Sequence, residues 1–423
     1  MLDQARPCWR ISARPCIVLY HAYGREVFPT ISFSKLLLHR EYFGDSLRYG
    51  VEGRPASGAA PGRGPVVVWN CTRECNLSCR HCYASATRAR EEDELTTEEA
   101  VSFLDSLKAL RVPAVLVSGG EPLLRKDILC ILEYGTSIGL RMVLSTNGTL
   151  LGGKTAGRLA EMGLSYAGIS LDGMEEVNDD FRGSKGAFRR SLEGFRSCRE
   201  AGLKAGLRLS LTRRTLPELP EIFRLVEEEG ISRLCLYHLV YSGRGSSMRN
   251  EDLSGEEKRW ALDFIIERTL DFGARSVDTE ILTVDSHCDG IYLYLRMKER
   301  DEARAERILD LLTRSGGNRS GMGIGAVDWR GDVFIDQFTR EFPLGNIREK
   351  SFGEIWDGIG IPLLEKLRDR KRHLKGRCGG CRWLEQCNGN FRARALSTGD
   401  FWNPDPACYL SDGEIGLEKG QPC

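Results

Sequence analysis

The sequence predicts an α/β fold in which a parallel sheet curls part-way into a barrel, with helices on its outside. Three observations predict it. Short β-branched or apolar runs recur at positions 66–70, 114–117, 141–144, 166–170, 206–211 and 234–239. Segments with the apolar period of an amphipathic helix lie between them, the alternation expected of parallel strands joined by crossover helices. Several runs end on polar, glycine-bearing tips, as loops at the carboxyl ends of such strands do. Six units fall short of the eight that close a full barrel. The expectation is a partial (β/α)6 TIM-like barrel.

Taken in order, residues 1–30 show no period and read as an N-terminal extension, possibly disordered. Residues 31–64 form a segment ending in a Gly-, Pro- and Ala-rich linker. The barrel core is expected over 65–250. Its first helix is the clearest: Thr96 and Glu99 form a capping box ahead of Val101, Leu104, Leu107 and Leu110 at helical spacing. Further helices are expected over 128–135, 156–162, 187–201 and 219–229. A charged, mostly helical connection follows over 251–325. The C-terminal unit, 326–423, opens with a hairpin over 327–335 centred on Trp329-Arg330-Gly331-Asp332, then a helix over 352–367. From Arg377 onward the chain is rich in Gly, Cys and Pro, too irregular to hold a fold without a staple.

Composition narrows the function classes. Sixty basic residues balance sixty acidic ones, which argues against a nucleic-acid partner. No apolar run approaches the ~20 residues that span a bilayer, so no membrane association is expected. The start of the chain lacks an apolar core of signal-peptide length, so the expected location is cytoplasmic. Fifteen cysteines are then many, and in a reducing compartment they read as metal ligands, catalytic groups or small buried apolar residues. Four fall between positions 71 and 82 and three between 378 and 387, and such clustering favours metal sites over disulfides.

Cys75-x3-Cys79-x2-Cys82 follows directly on the first strand. Three thiolates on a four-iron cluster leave one iron open for a small chelating ligand. A zinc site completed by Cys71 or His81 has acceptable spacing too. The later strand ends favour the first reading. Ser118-Gly119-Gly120-Glu121-Pro122, Ser145-Thr146-Asn147-Gly148 and Ser170-Leu171-Asp172-Gly173 end successive strands. Two glycines permit close backbone approach to a ligand, and Glu121 can accept from an ammonium group.

Cys75-Asn-Leu-Ser-Cys79-Arg-His-Cys82-Tyr83 with the Gly119-Gly120-Glu121-Pro122 loop resembles the radical S-adenosylmethionine (SAM) superfamily, over roughly residues 65–245. The resemblance implies that Cys75, Cys79 and Cys82 hold a [4Fe-4S] cluster whose open iron binds SAM and cleaves it to a 5′-deoxyadenosyl radical. It implies SAM contacts from Gly119, Gly120, Glu121 and Pro122, and from Ser145, Asn147, Ser170 and Asp172, with Arg208 and Ser210 as weaker candidates. Cys71 falls outside the motif and reads as a strand-end residue.

Cys378-x2-Cys381-x5-Cys387, followed by Cys408, resembles the SPASM or twitch extensions of the same enzymes, which bind auxiliary [4Fe-4S] clusters. A full SPASM unit has two. Here Phe391 and Asp336 stand where two ligands of the first would be. The resemblance therefore implies one auxiliary cluster, held by Cys378, Cys381, Cys387 and Cys408. A structural zinc on the same four cysteines is the alternative from spacing alone.

Phe43-Gly-Asp-Ser-Leu-Arg-Tyr-Gly50, Tyr241-Ser-Gly-Arg-Gly245, Cys387-Asn-Gly-Asn390 and Pro404-Asp-Pro-Ala-Cys-Tyr-Leu410 are similar to the tetrapyrrole-modifying branch of this family. That implies an iron tetrapyrrole substrate and an electron donor such as ferredoxin or flavodoxin. The implied reaction removes acetate side chains from 12,18-didecarboxysiroheme to give iron-coproporphyrin III. The alternatives are heme d1 chemistry on propionates of the same precursor, and peptide modification. Several substrate carboxylates call for arginine forks. Arg244, in a Gly-flanked loop, is the leading candidate, with Arg208 and Arg182 behind it. His238, His287 and Cys288 are candidates to approach the substrate iron or to donate a proton.

Overall fold

The computed structural model describes residues 30–42, 44–49 and 64–417. Its strands are β1 (Thr30–Ser32), β2 (Val66–Asn70), β3 (Val115–Ser118), β4 (Met142–Thr146), β5 (Tyr166–Ser170), β6 (Ala205–Leu211), β7 (Arg233–His238), β8 (Glu280–Val284), β9 (Ile324–Val327), β10 (Asp332–Phe334) and β11 (Gly345–Asn346). They form one sheet in the order β1-β8-β7-β6-β5-β4-β3-β2-β9-β10-β11. Neighbours from β8 through to β9 run parallel, while β1, β10 and β11 join antiparallel. The six-unit core is the partial barrel the sequence predicts, and β8 and β9 carry the parallel sheet past both of its ends.

Alternation along each strand builds two layers. On β2, Val67 and Trp69 pack into the core under the helices, and Val66 and Val68 turn to the barrel interior. Leu116, Val143, Tyr166 and Phe334 fill that interior from other strands. Two residues further along, the inward positions change character: Asn70, Ser118 and Ser145 follow Val68, Leu116 and Val143. The interior is apolar at one end and polar at the carboxyl ends of the strands, which is where the cavity lies.

The helices form where their signals stand. Thr96 Oγ1 accepts from Glu99 N–H while the Glu99 carboxylate accepts from Thr96 N–H, the reciprocal pair that opens Thr97–Ala109. Three expectations need correction. Residues 251–325 are not only a helical connection, because β8 lies inside them. The helix expected over 352–367 is two, Phe352–Asp357 and Pro362–Arg368, since Gly358 ends the first at φ 70° and Pro362 starts the second. The segment before the linker is part of the sheet, with β1 paired to β8. There Asp45, Arg48 and Tyr49, from a motif that pointed to the substrate branch, have structural partners. Arg48 bridges Asp45 at 2.8 Å and Glu280 at 2.7 Å, and Tyr49 Oη accepts from Ser32 N–H. The extension and the linker lie outside the described residues, apart from Thr30 and the linker's two ends.

Candidate active site

A cavity of about 1200 Å³, counting its mouth, opens at the carboxyl ends of the strands. Cys75, Cys79 and Cys82 line it. The loop that carries them is clamped from three sides. Gly120 N–H donates to Thr72 O and Glu121 N–H to Glu74 O, at 2.8 and 2.7 Å. A Cβ on Gly120 would sit 2.0 Å from Glu74 O, so glycine is what lets the two main chains touch. From the second side, Ser78 N–H and Arg80 N–H donate to Arg182 O and Phe181 O. From the third, Arg244 N–H donates to Cys82 O, while its guanidinium donates to Cys79 O at 2.9 Å and Ala86 O at 2.8 Å.

That last contact corrects the expectation for Arg244. It lines the cavity, but its Nε and Nη1 donate to main-chain carbonyls of the cysteine loop and so brace that loop. Gly119, Gly120, Ser145, Asn147, Ser170, Arg208 and Ser210 line the cavity as expected, and Arg182 joins them. Glu121, Pro122 and Asp172 do not; all three are buried behind the wall. Glu121 accepts from Thr146 Oγ1, Asn147 N–H and Leu123 N–H, and burial pushes its carboxyl up to about 7. Asp172 accepts from Ser210 N–H and pairs with Arg182 at 2.5 Å. Both carboxylates hold neighbouring strand-end loops together rather than facing a ligand.

His238 lines the cavity, and its Nε2 lies 2.8 Å from Asp289 Oδ2. Asp289 Oδ1 accepts from Tyr409 Oη at 2.9 Å. Burial alone would raise the Asp289 carboxyl, but His238, Thr283 and Tyr409 hold it below its ordinary range. His287 is not on the cavity wall. It is buried with neither ring nitrogen hydrogen-bonded, and burial pushes it down to about 3, so it stays neutral. His81 stacks on Phe181 at 4.6 Å and is likewise held neutral by burial. Cys71 is buried in the core under the helices and extends the β2–β3 ladder through its N–H.

Sequence reasoning passed over several wall residues, among them Tyr83, Gln337, Phe338 and Asp285. Tyr83 donates to Asn70 Oδ1 and contacts Ser118 Oγ. Gln337 and Phe338 reach in from the C-terminal unit, and Phe338 packs edge-on to Tyr83. Asp285 stands just beyond β8, and burial raises it to about 8, so it is protonated at neutral pH. Its signal was a polar strand end, legible only once β8 is counted as a strand.

A second cavity, of about 460 Å³ with its opening, is lined by Cys378, Cys381, Cys387 and Cys408. Short helices Gly376–Gly379 and Leu384–Cys387 carry Cys378 and Cys387, and Cys381 lies in the turn between them. The two positions that depart from the full SPASM pattern are built into the fold. Phe391 is buried against Phe338, and Asp336 Oδ1 accepts from Phe338 and Thr339 N–H.

Residues 69–226 match the Radical SAM superfamily, and residues 321–382 match the SPASM iron-sulfur cluster-binding domain. The chain is 48% identical to Fe-coproporphyrin III synthase of Methanosarcina barkeri, across 91% of this chain and 99% of that one. The chain belongs to the radical SAM superfamily. Pre-heme d1 synthase of Dinoroseobacter shibae is 42% identical over 83% of this chain and 88% of its own. Among solved structures, Streptococcus suis SuiB bound to its precursor peptide superposes with TM-score 0.66, at 18% identity over 83% of this chain and 76% of that one. That likeness concerns the fold.

The cofactors of this family are SAM with its [4Fe-4S] cluster and, through the SPASM unit, one auxiliary cluster. The residues present fit the first. Each sulfur receives at least one N–H: Cys75 from Leu77 at 3.4 Å and from Asn147 Nδ2 at 4.0 Å, Cys82 from Ala86 at 3.4 Å, and Cys79 from Arg182 Nη1 at 3.6 Å. Such donors stabilise cluster thiolates and tune their potential. Among the described residues no three His, Cys, Asp or Glu side chains converge tightly enough for a single metal ion. Both groups of cysteines line cavities. Nor is any described helix long and apolar enough to cross a membrane.

Proposed function

We propose that this radical SAM enzyme removes acetate side chains from 12,18-didecarboxysiroheme to give iron-coproporphyrin III. The observation that carries the reading is the 48% identity to Fe-coproporphyrin III synthase over 99% of its length. That likeness takes in the C-terminal residues Gln337 and Phe338 that close the cavity, not the barrel alone.

Cys75, Cys79 and Cys82 hold the SAM cluster, which supplies one-electron cleavage of SAM to a 5′-deoxyadenosyl radical. Gly119, Gly120, Ser145, Asn147 and Ser170 form the wall against which SAM lies. Cys378, Cys381, Cys387 and Cys408 hold the auxiliary cluster. Arg208 is the cavity cation placed for a substrate carboxylate, and Gly168 makes room for it, since its Nε would lie 2.2 Å from a Cβ there; Arg182 is held by Asp172 and Cys79. Ionised Asp289 accepts from Nε2–H of His238, which fixes the ring and leaves Nδ1 as the nitrogen that takes up or gives a proton. Asp285, carrying its proton, is a second donor at the same wall. The electron donor is a ferredoxin or flavodoxin. The enzyme works in the cytoplasm, where its thiols stay reduced.

The test is anaerobic incubation of reduced enzyme with SAM and 12,18-didecarboxysiroheme, with mass analysis of the tetrapyrrole. Loss of two acetate side chains, abolished in Cys79→Ala, supports the reading. Loss of propionate mass assigns the chain to the heme d1 reaction of its 42% identical relative. An unmodified tetrapyrrole alongside 5′-deoxyadenosine rejects both.

A further inference from the structure

The auxiliary cavity holds one sulfur more than a four-iron cluster needs. Cys288 opens helix Cys288–Lys298, just beyond β8 and far upstream of the C-terminal cysteines. It is 1% exposed and lines the same cavity as Cys378, Cys381, Cys387 and Cys408. Its thiol is in hydrogen-bond contact with that of Cys408. Its other polar contacts are Ser286 Oγ at 3.1 Å and Asn390 Nδ2 at 3.7 Å. Asn390 also accepts from His287 N–H at 2.7 Å, which fixes the start of this helix against the cysteine loop.

The chemistry of a cube limits what this fifth sulfur can do. Each iron takes one outer thiolate, and the four point away from one another toward the corners of a tetrahedron. Two sulfurs in hydrogen-bond contact are close enough to serve one corner in turn. Cys378, Cys381 and Cys387 come from one short stretch and occupy their own corners, so the shared one is that of Cys408.

We propose that Cys288 is a second thiol for the iron that Cys408 ligates, so that the auxiliary site carries a built-in spare ligand. The exchange balances without any redox partner. Cys288 gives up its proton as its sulfur binds iron, Cys408 takes one as its sulfur leaves, and the cluster keeps its charge and oxidation state. Cys408 sits on the irregular C-terminal run, next to Tyr409, which bonds to the Asp289 that holds His238. Ligand exchange at this corner would move a segment tied to the active-site wall.

This inference rests on the four-cysteine reading of the auxiliary site, and the experiment separates the two. Full-length protein and the variants Cys378→Ala, Cys408→Ala, Cys288→Ala and Cys288→Ala/Cys408→Ala are reconstituted anaerobically. Iron, sulfide and the electron paramagnetic resonance of the reduced protein are then measured, with SAM binding as the check on folding. Cys408→Ser and Cys288→Ser are run beside the alanines in case either cavity collapses. Cys378→Ala is expected to lose about half of the iron, the share of one of two four-iron clusters. Cys408→Ala is expected to keep its auxiliary iron with a shifted resonance, and the double variant to lose it. If Cys408→Ala loses as much iron as the double variant, the site is a fixed four-cysteine one and the spare ligand is overturned. The same holds if the double variant keeps its auxiliary iron. Unchanged iron in Cys378→Ala overturns the four-cysteine reading itself.

Discussion

Replacing Gly120 by alanine tests how the cysteine loop is held. The added Cβ would lie 2.0 Å from Glu74 O and 2.6 Å from its carbonyl carbon. Ordinary contact begins at 3.4 Å, so Glu74 must retreat by 3.4 − 2.0 = 1.4 Å, and Cys75 is the next residue. The atom in the way is main chain, with no rotamer to give. Retreat breaks Gly120 N–H to Thr72 O and Glu121 N–H to Glu74 O. Each bond contributes about 0.5–1.5 kcal/mol, and overpacking adds about 1–3 kcal/mol. The local cost is therefore about 2–6 kcal/mol, enough to displace a loop without unfolding a barrel. Iron and sulfide analysis of Gly120→Ala should show the auxiliary cluster present, the SAM cluster lost, and about half of the iron gone. Formation of 5′-deoxyadenosine should fall with it. Gly152→Ala is the control, because nothing lies within 4 Å of its Cβ. Wild-type iron content and SAM cleavage in Gly120→Ala would refute the clamp.

Other predictions follow from side chains whose partners are known. Glu121 has an ordinary value of 4.5 and about 7 in the fold, so the folded state binds its proton more tightly. The stability it contributes is whole below pH 4.5 and is lost as pH rises to about 7, a decline of about 3 kcal/mol relative to Glu121→Gln. Thermal midpoints of the two proteins across that window should diverge in this sense and run parallel above it. Arg244→Gln removes two bonds to the cysteine loop, so iron retention in air should drop while KM for the tetrapyrrole moves by less than about twofold. A large rise in KM with full iron would instead return Arg244 to the substrate. Asp289→Asn should cut tetrapyrrole turnover by about tenfold to hundredfold and alter its pH profile through the freed His238 ring. SAM cleavage without substrate should persist, and equal loss of both would point to structural damage.

How much of this was legible in the sequence depended on whether a feature is local. The six core strands lie within two residues of the positions their apolar runs marked, because alternation and capping act over a few residues. β9 was read as half of a hairpin. That pairing exists, but the strand also lies parallel to β2, a partner more than two hundred positions away that no periodicity encodes. β8 hid inside a charged helical stretch for the same reason. At the site, the strand-end tips marked which residues gather, yet not which way each side chain turns. Glu121 and Asp172 carry the charges a ligand would want, and the fold spends both on neighbouring loops. The Gly-Gly pair was read as space for a ligand, while Gly120 is equally required by the main chain of Thr72 to Glu74 behind it. Cys288 is the sharpest instance. Spacing groups cysteines that are near in sequence, so it finds three ligands in one stretch and a late fourth. A fifth cysteine, delivered by a helix that follows a strand no pattern revealed, reaches the same cavity only through the closing of the sheet.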